Sequence, residues 1–137
     1  MTPAHAQKDT RHNQDELPPN VLSAKCPSRT VLRHLTDRWT PMIVAVLQNG
    51  EPVRFKELKA TIEGISPKVL TETLRSMERD GLVTRLVTAS MPPRVDYQLT
   101  PLGLTTVEPL ATLRAWAENH VQEVEAHRER YDREHKS

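Results

Sequence analysis

The sequence has one cysteine, four glycines and no long apolar run, and each shortage excludes a class of protein. A single cysteine cannot close a disulfide within the chain, which excludes a disulfide-stapled fold. The apolar run from Met42 to Leu47 is far shorter than the roughly 20 residues that cross a bilayer. No stretch combines a charged leader, an apolar core and a small-residue cleavage site. We therefore expect a soluble cytoplasmic protein with no membrane partner.

The short motifs of common enzyme chemistries are missing as well. The sequence contains no glycine-rich phosphate loop, no nucleophile elbow and no paired catalytic carboxylates. His120 and His127 share a helix face, but they lack the i, i+4 spacing of a common metal-binding pair. We expect no enzyme activity, no cofactor and no metal site.

Charge is distributed unevenly, although the formal net charge is only +1. Residues 25 to 50 hold four basic and one acidic group, and residues 54 to 94 hold eight and five. The stretches before and after, residues 1 to 24 and 101 to 137, have net charges of −1 and −2. The excess of basic residues between residues 25 and 94 indicates that this part of the chain faces a polyanion.

The length of 137 residues suits one domain with extensions. Residues 1 to 24 have almost no apolar side chain before Leu17, so burial cannot offset the entropy lost on ordering. We predict a disordered polar arm over residues 1 to 24, a domain over 25 to 128 and a charged tail over 129 to 137.

Apolar spacing and capping residues predict three short helices between residues 27 and 64. The first starts at Pro27, and the second has Thr40 as its N-cap and Pro41 at its first position. The third is closed by Gly64. The second helix is apolar throughout, which is typical of a core helix.

A fourth helix, over about residues 66 to 80, is amphipathic and begins with Ser66 as its predicted N-cap and Pro67 at its first position. Leu70, Leu74 and Met77 form its apolar stripe. The side chains on the opposite side are Lys68, Glu72, Arg75 and Arg79. Either this charged side binds an anionic partner, or it is an ordinary solvated face on which Glu72 pairs with Lys68 or Arg75.

After the fourth helix the sequence alternates with a period of two. Residues 82 to 87 and 95 to 99 therefore predict two strands of a hairpin. Two prolines stiffen its long tip, and Arg94 lies at the base of that tip. Thr100 and Pro101 begin a last helix that reaches the late 120s, with a kink expected at Pro109.

Three short helices and a hairpin with a long tip predict a mainly α protein with a small antiparallel hairpin, a winged helix-turn-helix. In this fold the fourth helix enters the major groove of double-stranded DNA, and the wing contacts phosphate or the minor groove. The residues predicted to bind DNA are Ser66, Lys68, Thr71, Arg75, Arg79 and Arg94.

The last helix carries an apolar seam that one small domain is not expected to cover. We predict dimerisation through N- and C-terminal helices, with the alternative that the seam packs on its own domain. The predicted dimer residues are Val31, Leu110, Leu113, Ala117, Val121 and Val124.

Cys26 precedes Pro27, which places it near the N-cap of the first helix. The helix dipole and the basic residues Lys25 and Arg29 are expected to lower the pKa of the thiol and favour a reactive thiolate. The alternative is that Cys26 is a small, inert and buried apolar residue.

Three stretches of the sequence also resemble a known family. They are CPSRTVLRHLTDRWTPMIVAVL from Cys26 to Leu47, RFKELKATIEGISPKVLTETLRSMERDGLV from Arg54 to Val83, and MPPRVDYQLTPLG from Met91 to Gly103. Their motifs, in this order, are similar to those of the HxlR-type transcriptional regulators, relatives of the MarR regulators. The resemblance covers residues 26 to 118.

The resemblance implies a homodimeric DNA-binding regulator, often a repressor, and in several members one that responds to electrophiles or oxidants through the cysteine at the Cys26 position. We expect a transcriptional repressor modulated in this way at Cys26. Two alternatives stay open. One is a regulator with a small-molecule effector or none and a structural Cys26, and the other is a winged helix that binds proteins.

Overall fold

The computed structural model describes residues 18–136, so most of the predicted polar arm lies outside the described residues. The chain divides into two compact units, Met1–Arg33 and His34–Ser137. The helices and strands, in chain order, are α1 (Pro27–Leu35), α2 (Thr40–Leu47), β1 (Val53–Arg54), α3 (Phe55–Thr61), α4 (Pro67–Arg79), β2 (Val83–Thr88), β3 (Arg94–Leu99), α5 (Pro101–Leu104) and α6 (Val107–Glu134).

In the second unit, helices pack against a small antiparallel sheet with the strand order β1-β3-β2. The predicted hairpin is present, and its register pairs Val83 with Leu99 and Thr88 with Arg94. The winged helix-turn-helix prediction is confirmed. The strand β1, which pairs Val53 with Tyr97, was not predicted because two residues are too short to show an alternating pattern.

The core is formed mainly by apolar side chains of α2, α3, α4, α6, β2 and β3. The apolar stripe of α4 is fully buried there, as its helical spacing predicts. The buried apolar residues are Ile43, Val44, Leu47, Leu58, Ile62, Ile65, Leu70, Leu74, Met77, Leu82, Val83, Tyr97, Leu99 and Leu110.

Polar side chains fix where the helices begin. The Ser66 hydroxyl oxygen accepts the Val69 amide at 3.1 Å, which confirms the predicted cap of α4. The predicted N-cap of α2 is wrong, because Thr40 is already helical. The Asp37 carboxylate instead accepts the amides of Trp39 and Thr40 at 2.8 and 2.9 Å.

The predicted last helix is two helices. A four-residue helix, α5, ends before Thr105, and α6 then runs for 28 residues. Pro109 is the third residue of α6, where the first-turn amides have no helical partner, so it removes no hydrogen bond from that helix. The predicted helix is instead interrupted between Leu104 and Val107, ahead of Pro109. Since α6 continues to Glu134, part of the predicted charged tail is helical.

The start of α5 is packed tightly against the turn that follows α4. The Thr100 hydroxyl donates to the Gly81 carbonyl at 2.6 Å and accepts the Gly103 amide at 3.0 Å. A Cβ atom at Gly103 would collide with the carbonyl oxygen of Leu82. Glycine is therefore required at residue 103 for close approach of two backbone segments.

We expect Gly103→Ala to destabilise the protein by about 1–3 kcal/mol, because overpacking outweighs the usual helical advantage of alanine. Urea unfolding followed by circular dichroism would measure the change in unfolding free energy. The control is Gln48→Ala, an exposed change that should stay within about 0.5 kcal/mol of the wild type. A Gly103→Ala variant at least as stable as the wild type would contradict the packing described.

Candidate nucleic-acid interface

The side of α4 opposite the core is cationic and exposed. Lys68, Arg75 and Arg79 are all exposed at this surface. Within residues 18–136 none of them forms an ion pair, and Glu72 pairs with neither Lys68 nor Arg75. The Glu72 pairing of that alternative is therefore absent from the described residues, and the three cations of α4 are exposed to solvent.

Ser66 and Thr71 lie at the start and on the flank of α4. Ser66 uses its hydroxyl oxygen to cap the helix, which leaves its proton free for donation. Thr71 donates its hydroxyl proton to the Pro67 carbonyl at 2.8 Å, so its oxygen can only accept a further hydrogen bond. Thr71 and Arg75 line one cleft, whereas Ser66 lies at the N-cap of the same helix.

Arg94 is differently placed. Its Nε atom donates to both carboxylate oxygens of Asp96 at 3.1 Å, and the Asp96 side chain is only 12% exposed. Arg94 therefore partners a buried carboxylate, and about half of its side chain remains exposed.

A cleft of about 570 Å³ separates α4 from the hairpin. Four cations and one acidic residue line it together with apolar side chains. Its walls are formed by Arg54, Phe55, Lys56, Thr71, Arg75, Glu78, Arg85, Pro93, Val95 and Tyr97.

Sequence reasoning missed three of these cations, Arg54, Lys56 and Arg85. The only signal was the excess of basic residues between 54 and 94. An excess of charge along a stretch does not say which side chains converge. Strand pairing decides which of them face the cleft: Arg85 lies opposite Tyr97, whereas Arg54 lies opposite Asp96 and so belongs to the other face of the sheet.

The predicted dimer seam on α6 is only partly available. Leu110 is buried in the core of its own chain, so its assignment to a subunit contact is corrected. Leu113 and Val121 are about half exposed, Ala117 is exposed and Val124 is partly buried. On α1, in the first unit, Val31 is likewise about half exposed.

Cys26 directly precedes α1 and is half-buried. Its sulfur lies 3.0 Å from the Ser28 hydroxyl oxygen and accepts the Asn20 amide at 3.3 Å. The Ser28 side chain is the main cause of a lowered pKa of the thiol, followed by the Asn20 amide, and desolvation opposes both. The guanidinium of Arg29 instead donates to the carbonyls of Val21 and Leu22. The lowered pKa was predicted, but hydrogen bonds rather than neighbouring cations cause it.

No group of three potential ligands in residues 18–136 is placed to hold a metal ion. No helix in the same part of the chain has the length and apolarity needed to cross a membrane.

Residues 34–125 match the model of the HxlR-like helix-turn-helix family. An uncharacterized HTH-type transcriptional regulator of Escherichia coli, YtfH, is 41% identical over 110 residues, which are 80% of this chain and 86% of that protein. The solved structure of the ytfH regulator from Salmonella typhimurium has a TM-score of 0.76 and 38% identity, covering 82% of this chain and 99% of that one. The redox regulator HypR in its oxidized form has a TM-score of 0.62 and 31% identity, covering 69% and 96%.

We expect the alkylation rate of Cys26 by iodoacetamide to rise with pH around a midpoint below the ordinary thiol pKa, because the thiolate is the nucleophile. Ser28→Ala should move this midpoint upward, since it removes the first cause of the lowered pKa. Stopped-flow alkylation between pH 5 and 10 measures both, with Thr30→Ala on the exposed side of α1 as the control. An unchanged midpoint in Ser28→Ala would rule out the assigned hydrogen bond.

Proposed function

As a member of the HxlR-like helix-turn-helix family, the chain is a DNA-binding transcriptional regulator, and we propose that α4 reads its operator in the major groove. The observation that carries the proposal is the row of unpaired cations on α4, opposite a fully buried apolar stripe. The major groove admits an α-helix, and arginine can make paired hydrogen bonds with guanine there. Lys68, Arg75 and Arg79 are the proposed base and phosphate contacts.

Ser66 and Thr71 are proposed as phosphate contacts at the edge of the groove. The hydroxyl proton of Ser66 and the first-turn amides of α4 are donors at the positive end of the helix dipole. Thr71 lies beside Arg75 in the cleft wall, and its hydroxyl oxygen can accept a hydrogen bond from a water that bridges to a phosphate. Both would fix the register of α4 on the duplex rather than read its sequence.

The operator is proposed to be bound by a homodimer with two α4 helices, one for each half-site. Support comes from α6, where Leu113, Trp116 and Val121 each expose about half of their apolar side chains. An exposed apolar surface of this kind favours association with a second copy. A dimer places two recognition helices on half-sites one helical turn apart, which suits a pseudo-palindrome.

Cys26 is proposed to modulate operator binding when it is oxidised or modified. The support is a thiol with a lowered pKa and the likeness to HypR, which is a redox regulator. Two Cys26 thiols from two copies would lose two protons and two electrons to form one disulfide, and the oxidant takes up both. An electrophile would instead form a thioether with the thiolate. Repression of the regulated gene and a cytoplasmic location remain predictions from the sequence.

We expect the double variant Arg75→Ala/Arg79→Ala to bind a selected operator much more weakly than the wild type. Each lost phosphate contact should lower the slope of log K against log salt by about one unit, and a lost base-reading arginine should cost about 1–3 kcal/mol. Fluorescence anisotropy from 50 to 300 mM salt, on duplexes selected from a random pool, measures both quantities. The charge-matched control is Arg130→Ala/Arg133→Ala at the end of α6, which should bind as the wild type does. Equal affinity for the two double variants would exclude α4 as the reading helix.

Diamide, which accepts the two electrons of disulfide formation, is expected to change operator binding of the wild type reversibly, with recovery after dithiothreitol. Cys26→Ser should bind DNA and ignore diamide, because the serine hydroxyl does not undergo this chemistry. A non-reducing gel separates a covalent dimer from a mixed disulfide with a small thiol. A serine variant that still responds to diamide would assign Cys26 a structural role.

A further inference from the structure

The hairpin presents different arginines on its two faces. Arg85 lies directly opposite Tyr97 in the β2-β3 register, so the two side chains share one face of the sheet. Both line the cleft beside Arg75 of α4. Arg94 and Asp96 alternate with Tyr97 along β3 and therefore belong to the opposite face, where they pair with each other. Only Arg85 of the hairpin arginines points into the cleft.

The cleft has an excess of positive charge that nothing in the described chain neutralises. Arg54, Lys56, Arg75 and Arg85 line it, whereas Glu78 is the only acidic residue among its walls. Over residues 18–136 none of these four cations forms an ion pair. Arg54 lies opposite Asp96 in the β1-β3 register, so its side chain belongs to the face of Arg94. The other three cations surround one space without partners and repel each other, and an anion between them would relieve the repulsion.

The form of the duplex identifies that anion. A helix in the major groove and a hairpin over the adjacent minor groove lie on either side of one sugar-phosphate backbone, because that backbone separates the two grooves. With α4 in the major groove, this backbone must pass between α4 and the hairpin. The cleft occupies that place.

We propose that the cleft seats one DNA backbone strand and that Arg85, rather than Arg94, is the wing arginine that contacts its phosphates. Lys56, at the start of α3, contacts the same strand from the other wall. The inference rests on the proposed DNA reading by α4. It adds two phosphate contacts and replaces the wing contact expected from the sequence.

Arg94 then has a structural role. Its Nε atom satisfies both oxygens of a carboxylate that is nearly buried in β3. Removing this partner would leave the Asp96 carboxylate without its charge-assisted hydrogen bond, which is costly at a buried position. Arg94 therefore stabilises the strand that also carries Tyr97 into the cleft.

The test compares Arg85→Ala with Arg94→Ala, two equal losses of charge on the two faces of one hairpin. We expect Arg85→Ala to lower the salt slope of operator binding by about one unit and to leave the melting temperature unchanged. Arg85→Lys should keep the wild-type slope, because it keeps the charge. Arg94→Ala should keep the wild-type slope and lower the melting temperature. Arg94→Gln, which removes the charge but keeps a donor for Asp96, gives the same binding test if Arg94→Ala does not fold.

The outcomes separate this inference from the proposed function. If Arg75→Ala/Arg79→Ala loses binding while Arg85→Ala keeps the full salt slope, the cleft assignment is wrong and DNA reading by α4 stands. If Arg94→Ala lowers the salt slope of operator binding and Arg85→Ala does not, the two arginines have the opposite roles. Lys56→Ala should lower the slope by about one unit, and an unchanged slope would exclude Lys56 as a contact to this strand. A wild type without salt-dependent DNA retention would overturn both the inference and the proposed function.

Discussion

Burial of one side of α4 is the interaction on which the rest of the molecule depends. Leu70, Leu74 and Met77 are buried in the core, with almost none of their surface exposed. Because a helix is rigid, fixing these three side chains also fixes the direction of the side chains opposite them. Lys68 and Arg79 therefore face solvent as a consequence of core packing, and the cationic surface needs no separate structural support.

Electrostatics and packing are separated on the two sides of this helix. The cations on the outer side and in the cleft are left without partners by the described chain, while the ion pairs of the second unit lie elsewhere. A hydrogen bond of 2.8 Å joins His34 Nδ1 to the carboxylate of Asp80, the C-cap of α4, and stabilises the end of this helix without covering its cations. Unpaired cations slightly lower the free energy of unfolding because they repel one another. The release of counterions from DNA favours binding of a cationic protein.

The thiol of Cys26 depends on a local arrangement of the first unit. Its sulfur contacts the Ser28 hydroxyl, which can donate to a thiolate, and accepts the Asn20 backbone amide. Both groups are neutral, and their hydrogen bonds are screened by salt less than a field of surrounding lysine and arginine charges. A thiol pKa lowered in this way depends less on ionic strength than DNA binding does.

The sequence alone determined the order of the helices, the hairpin, and the cationic side of α4, because apolar spacing and capping at Ser66 are local properties read directly from neighbouring residues. Tertiary structure decided which side chains meet. The Asp37 carboxylate, and not the Thr40 side chain, accepts an amide at the start of α2. Pro109 lies in the first turn of α6, where it removes no helical hydrogen bond, and Leu110 is buried in the core of its own chain. The hairpin register turns Arg85 toward α4 and Arg94 away from it, which a count of charges cannot reveal, since strand pairing is a long-range contact.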